Sequence, residues 1–156
     1  MNNIAEQHLH IVSFDIPWPA NYGGVIDVFY KIKALAQEGI QIHLHCFEYG
    51  RDQATELENY CFSVSYYKRD LSKTQLFKNL PYIVVSRNSE DLARNLLQDN
   101  YPILLEGLHT CILINDIRFR NRNIIVRSHN IEHDYYHHLA QAETDIFKKY
   151  YFQNEA

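Results

Sequence analysis

Three cysteines in 156 residues, Cys46, Cys61 and Cys111, are odd in number and widely spaced, so the chain has no disulfide framework. They read as reduced core thiols, and without a Cys-x-x-Cys pair a thiolate zinc site is not expected. Five glycines and four prolines exclude a collagen-like or low-complexity chain. No apolar run approaches the roughly 20 residues of a membrane span, and the start, Met-Asn-Asn-Ile-Ala-Glu, lacks the basic and apolar stretches of a signal peptide. A cytoplasmic protein is expected. Positive charge is not in excess: 15 Lys and Arg stand against 19 Asp and Glu, a net charge of -4. Nucleic acid is therefore not an expected partner, because its phosphates require a clustered basic face.

What is present is an ordinary globular balance, 46% hydrophobic and 22% charged, in a length that makes one domain. Residues 8–14 are β-branched and apolar, the pattern of a buried strand, and a proline-stiffened loop over 15–22 leads to Gly23-Gly24. From Val25 the apolar positions Val28, Phe29, Ile32, Leu35 and Ala36 step by three and four, which predicts an amphipathic helix ended by Gly39. A strand over 40–47 completes a βαβ unit, whose parallel strands require a crossover of this kind.

The alternation continues. A short helix is expected near 52–58, a strand near 61–67, an amphipathic stretch over 71–80 and a short extended piece at 82–85. Asn88 is expected to cap a helix over 89–98, followed by a strand over 101–105, a helix over 108–116 and a strand over 123–128. The last helix is expected to run unbroken from about 131. With no cap or breaker before Ala156, residues 1–156 read as one domain cut within that helix from a longer protein. Strand and helix alternating throughout predict an α/β fold: a doubly wound, mostly parallel sheet with helices on both faces.

In such a sheet ligands lie beyond the carboxyl ends of the strands. The candidates there are Asp15, Trp18, Tyr22, Gly23 and Gly24 after the first strand, Glu106 and His109 after a middle one, and Ser128, His129, Asn130 and Glu132 after the last. Gly23-Gly24 before a helix admits an anion to backbone N–H groups; a turn with positive φ or close helix packing is the alternative. Asn130 and Glu132 are equally an N-cap and a first-turn acid, whereas His129 at the strand end has no such structural account. His133 and His137 share a helix face, but HExxH is absent and no metal is expected. Arg118, Arg120, Arg122 and Arg127 form a basic stretch that can face anionic lipid or phosphate or line a solvated loop. Tyr22, Tyr135 and Tyr136 border the same region, where aromatic faces can stack on sugar or base rings.

The order strand, Pro-x-Pro loop, Gly-Gly and helix, then Glu106-Gly-Leu-His109, then Arg127-Ser-His129-Asn-Ile-Glu132-His-Asp-Tyr135-Tyr136, resembles the N-terminal lobe of retaining GT-B glycosyltransferases. These enzymes use sugar nucleotides in polysaccharide and glycolipid assembly. The resemblance implies a Rossmann-like domain, one of two lobes around a cleft, in a protein about twice this length. It implies that Gly23 and Gly24 approach the donor diphosphate, that His129 is the catalytic histidine near the donor sugar, and that Asp15, Trp18, Tyr22, Glu106, His109, Asn130 and Glu132 line the acceptor side. The implied substrates are a nucleotide sugar and a saccharide or lipid-linked acceptor, with no further cofactor and no metal. The implied partner is a C-terminal donor-binding domain, whose basic residues and Glu-x7-Glu motif have no counterpart here. The isolated domain would then be inactive, cytoplasmic, and at the inner face of the membrane where the acceptor is a lipid. A non-catalytic Rossmann-type carbohydrate- or nucleotide-binding module is the alternative.

Overall fold

The computed structural model describes residues 6–72, 74, 75, 80–128 and 132–156, with the side chains of 132, 133 and 154 left aside. Its strands are β1 (His8–Ser13), β2 (Gln41–Glu48), β3 (Ser63–Lys68), β4 (Ile103–Glu106) and β5 (Ile124–Arg127). They form one parallel sheet in the order β3-β2-β1-β4-β5. The helices are α1 (Gly23–Gln37), α2 (Tyr82–Val85), α3 (Glu90–Leu96), α4 (Glu132–Ala142) and α5 (Ile146–Glu155). The chain thus has an α/β, Rossmann-like fold, as the alternation of strand and helix predicts.

Register separates two cores. Val64, Leu44, Ile11, Leu104 and Ile125 lie in one row across the sheet. On that face Ile11, Leu44 and Leu104 pack with Val28, Phe29 and Ile32 of α1. On the other, Val12, Phe47, Ile103 and Leu105 pack with Leu92, Ala93 and Leu96 of α3. The inner strands β1 and β4 are buried on both faces over most of their length, which is why they read as apolar runs with little alternation, whereas Ile125 and Val126 of the edge strand β5 are exposed.

Local chemistry shifts several boundaries. Residues 82–85 are helical rather than extended. Ile83, Val84 and Val85 favour a strand by propensity, but the Glu155 carboxylate accepts from the Tyr82 and Ile83 amides at 2.7 and 3.1 Å and closes the helix start. Ser89, not Asn88, caps α3, its hydroxyl accepting from Leu92 N. The segment Leu108–Asn115 winds as a 3-10 helix after Gly107, whose φ of 77 suits glycine. The final helix is broken. Asp145 accepts from the amides of Phe147 and Lys148 and starts α5 anew, so the expected uninterrupted run to Ala156 is two helices that pack on each other. The amphipathic stretch over 71–80 falls mostly outside the described residues.

Two polar networks are set into this frame. Glu106, with no exposed surface, closes β4 and meets Lys31 of α1 in an ion pair, with Arg127 of β5 at 3.7 Å. Asp27 of α1 joins both cations, Lys31 at 3.5 Å and Arg127 in direct contact. Two acids and two bases thereby tie α1 to β4 and β5. The four-arginine stretch dissolves into such separate duties. Arg118 pairs with Glu90 and Asp116, and Arg122 donates to the carbonyls of Leu96, Asp99 and Tyr101.

The second network occupies the amino half of the α3 face. His8 and His10 of β1 lie beside His43 and His45 of β2 because parallel register sets the two His-Leu-His runs on one face, offset by two residues, with His10 opposite His43. Asp99 accepts from His10 Nε2 at 2.9 Å, so His10 Nδ1 must itself accept, from His45 Nε2, also at 2.9 Å. His45 Nδ1 then accepts from the Tyr67 hydroxyl, which accepts from Asn95 Nδ2, each at 2.8 Å. The chain Asn95, Tyr67, His45, His10, Asp99 is satisfied with both imidazoles neutral. Burial drives the His45 pKa from 6.5 to about 3 and lowers His10 as well, against the pull of Asp99.

Two outcomes follow for stability. Glu106→Gln leaves Lys31 and Arg127 underpaired beside the sheet and is expected to cost about 3 kcal/mol in urea unfolding at pH 7. Because His45 is neutral when folded but takes a proton near pH 6.5 when unfolded, its share of stability is intact above that pH. It is lost progressively as pH falls toward 3, by up to about 1.4 kcal/mol per pH unit. Unfolding midpoints at pH 7.5, 6.0 and 5.0 should fall accordingly, with a shallower slope for His45→Gln.

Candidate functional site

The strand ends converge on one cavity of about 720 Å³. Phe14, Tyr49 and Arg69 each come one residue after β1, β2 and β3, and His109 follows β4 by three, so four adjacent strands deliver a side chain to the same space. Ile83 and Arg87 close it from the α2 side, and Tyr135, Tyr136, Tyr151 and Phe152 from α4 and α5. This is the carboxyl edge of the sheet, the place where open parallel α/β sheets hold ligands.

Arg87 is the most constrained of these groups. It is 2% exposed, its Nη1 donates to Ile83 O at 2.7 Å, and its Nε and Nη2 donate to Phe14 O at 3.2 and 3.0 Å. Burial lowers its pKa to about 10, and neighbouring Arg69 adds to the fall. Arg69 lies over the Tyr49 ring, 4.4 Å from its centroid, and donates to the buried Ser86 hydroxyl through Nε and Nη2. Burial also lifts the Tyr151 phenol to about 12.

The candidates from the sequence divide. Tyr22, Gly24 and His109 line the cavity, as do Tyr135 and Tyr136. Asp15 sits behind that wall, accepting from Ile16 N and from the Tyr22 hydroxyl at 2.8 Å each. Burial raises its carboxyl pKa, and burial with Asp15 beside it lifts Tyr22 to about 12. Trp18 packs against Phe29 and faces a smaller hollow of about 450 Å³ beside Arg51. Glu106 belongs to the ion network and Gly23 borders open space. His129 and Asn130 lie outside the described residues. Glu132 begins α4, its side chain likewise outside. His137 meets Gln141 at 2.9 Å on α4. Among the described residues no cluster of three or more His, Cys, Asp or Glu has metal-site geometry, and no helix is long and apolar enough to cross a membrane. The three cysteines are free, and burial pushes each thiol upward.

Sequence reasoning missed Tyr49, Arg69, Arg87, Tyr151 and Phe152. The first two were within reach, since the rule that singled out Asp15 and His109 applies equally to the ends of β2 and β3. Arg87 gave no such signal; it reaches the cavity only because its guanidinium binds the Phe14 carbonyl.

The paired glycines have different tasks, and neither has a positive φ. A Cβ on Gly24 would stand 2.7 Å from Phe14 Cζ, whereas one on Gly23 meets nothing within 4 Å. Gly24 is thus required for close approach of α1 to the β1 end, and an anion at the helix start is not needed to explain it. Gly24→Ala should cost about 1–3 kcal/mol by displacing Phe14, while Gly23→Ala should be neutral or stabilising by up to about 1 kcal/mol. Thermal unfolding of both variants checks this, and equal losses would discount the packing explanation.

No protein-family model matches the chain, and no solved structure matches it significantly. The sequence is similar to an "uncharacterized 44.6 kDa protein in cps region" of Klebsiella pneumoniae, at 31% identity over 150 residues. The matched part is 91% of this chain and 38% of that protein, so the chain spans well under half the length of this relative.

Proposed function

We propose that this chain is the acceptor-side lobe of a retaining glycosyltransferase, moving a hexosyl group from a nucleotide sugar to a saccharide or lipid-linked acceptor. The observation that carries the reading is the cavity at the carboxyl edge, where side chains from four parallel strands meet a wall of tyrosines. Aromatic faces of this kind suit sugar rings, and their hydroxyls suit sugar hydroxyls. The relative's place in a cps region, which stands for capsule polysaccharide, supports the same class of chemistry. Its greater length is consistent with a second, donor-binding lobe.

In this reading the acceptor hydroxyl oxygen forms the new bond to the anomeric carbon as the bond from that carbon to the diphosphate oxygen breaks. The electron pair leaves with the nucleoside diphosphate, which also receives the hydroxyl proton. His129, two residues after β5 in the sequence, would bind the transferred sugar and position its anomeric centre. Gly23 and Gly24, at the start of α1, would be the residues the donor diphosphate approaches.

The test uses protein from the whole reading frame, supplied with a panel of nucleotide hexoses and a saccharide and lipid extract of the source cells. Hexose incorporation with the donor's anomeric configuration retained is the expected result. His129→Ala should lower turnover at least about tenfold with the circular dichroism spectrum unchanged. Neither transfer nor donor hydrolysis across the panel would overturn the proposal, and unchanged turnover would remove His129 from it.

A further inference from the structure

The cavity brings two guanidinium groups together, and among its described lining residues there is no acid. Arg69 and Arg87 both line it, and the charge of Arg69 adds to the lowering of the Arg87 pKa. Among the described residues neither forms an ion pair: Arg69 is held by Ser86 Oγ and the Tyr49 ring, Arg87 by the carbonyls of Phe14 and Ile83. Those contacts use three of the five N–H groups of Arg87. The nearest described acids, Asp15 and Glu155, attract these cations through space but hydrogen-bond to other groups. Asp15 holds Ile16 N and Tyr22, Glu155 caps the start of α2, and neither lines the cavity.

A buried cation without a partner is costly, and the fold spends the carbonyls of Phe14 and Ile83 on keeping one at a cavity wall. Forked donors beside aromatic rings match an oxyanion carried on a sugar. By contrast, Arg94 on α3 and Arg118, Arg122 and Arg127 outside the cavity each pair with an acid. Arg69 and Arg87, the two arginines among the described residues of the cavity wall, have no such ion pair.

We propose that this cavity binds an anionic sugar, its phosphate or carboxylate set between Arg69 and Arg87 and its ring against Tyr49 and the tyrosines of α4 and α5. The inference rests on the acceptor-side reading and deepens it: the acceptor, or the acceptor residue that receives the hexose, carries negative charge.

The experiment is calorimetric titration of the protein with four probes: glucose 1-phosphate, glucuronic acid, glucose and UDP. Binding of glucose 1-phosphate or glucuronic acid, with glucose much weaker, is the expected result, and which of the two binds identifies phosphate or carboxylate as the anion. Arg69→Gln should weaken that binding about tenfold or more, Arg69→Lys should recover part of it, and the surface variant Arg94→Gln should leave it unchanged. Arg69 is chosen because Arg87 also holds the Phe14 loop, so its variants risk the fold. Binding that is indifferent to charge or to Arg69→Gln overturns the proposal, as does UDP competing more strongly than either sugar anion, which would make this a donor-phosphate site. Failure here is separable from failure of the proposed function. Transfer to a neutral acceptor, insensitive to Arg69→Gln in the whole protein, removes the anionic pocket and keeps the enzyme. Arg69-dependent anion binding without any transfer does the reverse.

Discussion

A carboxylate sealed from water at the end of a central strand obliges the fold to bring cations to it. Glu106 is that group, and Lys31 and Arg127 answer it from different elements. Because Gly24, Asp27 and Lys31 stand on one face of α1, at intervals of three and four residues, seating Lys31 on Glu106 also fixes the rotation of the helix. The same rotation lays Gly24 against the Phe14 ring. Phe14 is a cavity wall, and its carbonyl is the anchor of Arg87. The ion network is therefore the reference point from which the geometry at the carboxyl edge is set.

The opposite edge is made differently. Where the α3 face of the sheet is apolar around Val12, Phe47 and Leu105, its amino half is a run of imidazoles ending on Asp99. Each ring accepts on one side and donates on the other, so the tautomers are fixed by the carboxylate at one end and the Asn95 amide at the other. A network of this kind tolerates little sliding between β1 and β2, because a shift of one residue would move every histidine to the opposite face. The domain thus has one edge held in register by directional bonds and another left open as a cavity.

The alternation of strand and helix was legible because each strand is a short apolar block and α1 carries an unbroken apolar stripe. Gly39 marked a helix end for the expected reason: its φ is 81. What escaped was decided at a distance. Residues 82–85 look like a strand, and nothing local reveals that Glu155, 73 positions away, will cap them as a helix. The break before α5 was readable in principle, since Thr144-Asp145 is a cap signal, but the apolar residues on both sides disguised it. The His-Leu-His repeats in β1 and β2 were visible as letters; only parallel register turns them into contacts. At the candidate site the strand-end rule located the edge and several walls, while the arginines, whose placement depends on loop carbonyls, carried no pattern of their own.

The bond between Glu155 and the start of α2 places the assembly of the cavity in time. The sheet can pair β1, β2 and β3 once the first 68 residues exist, and β4 and β5 are complete by Arg127. The wall formed by Tyr151 and Phe152, and the carboxylate that secures α2 opposite them, belong to the last turns of the described chain. During vectorial synthesis the scaffold is therefore available before its binding space is, and the long-range closure comes last, as contacts of large sequence separation generally do. A nascent chain arrested before α5 would carry a formed sheet with an open edge, and no enclosed place in which to hold a sugar.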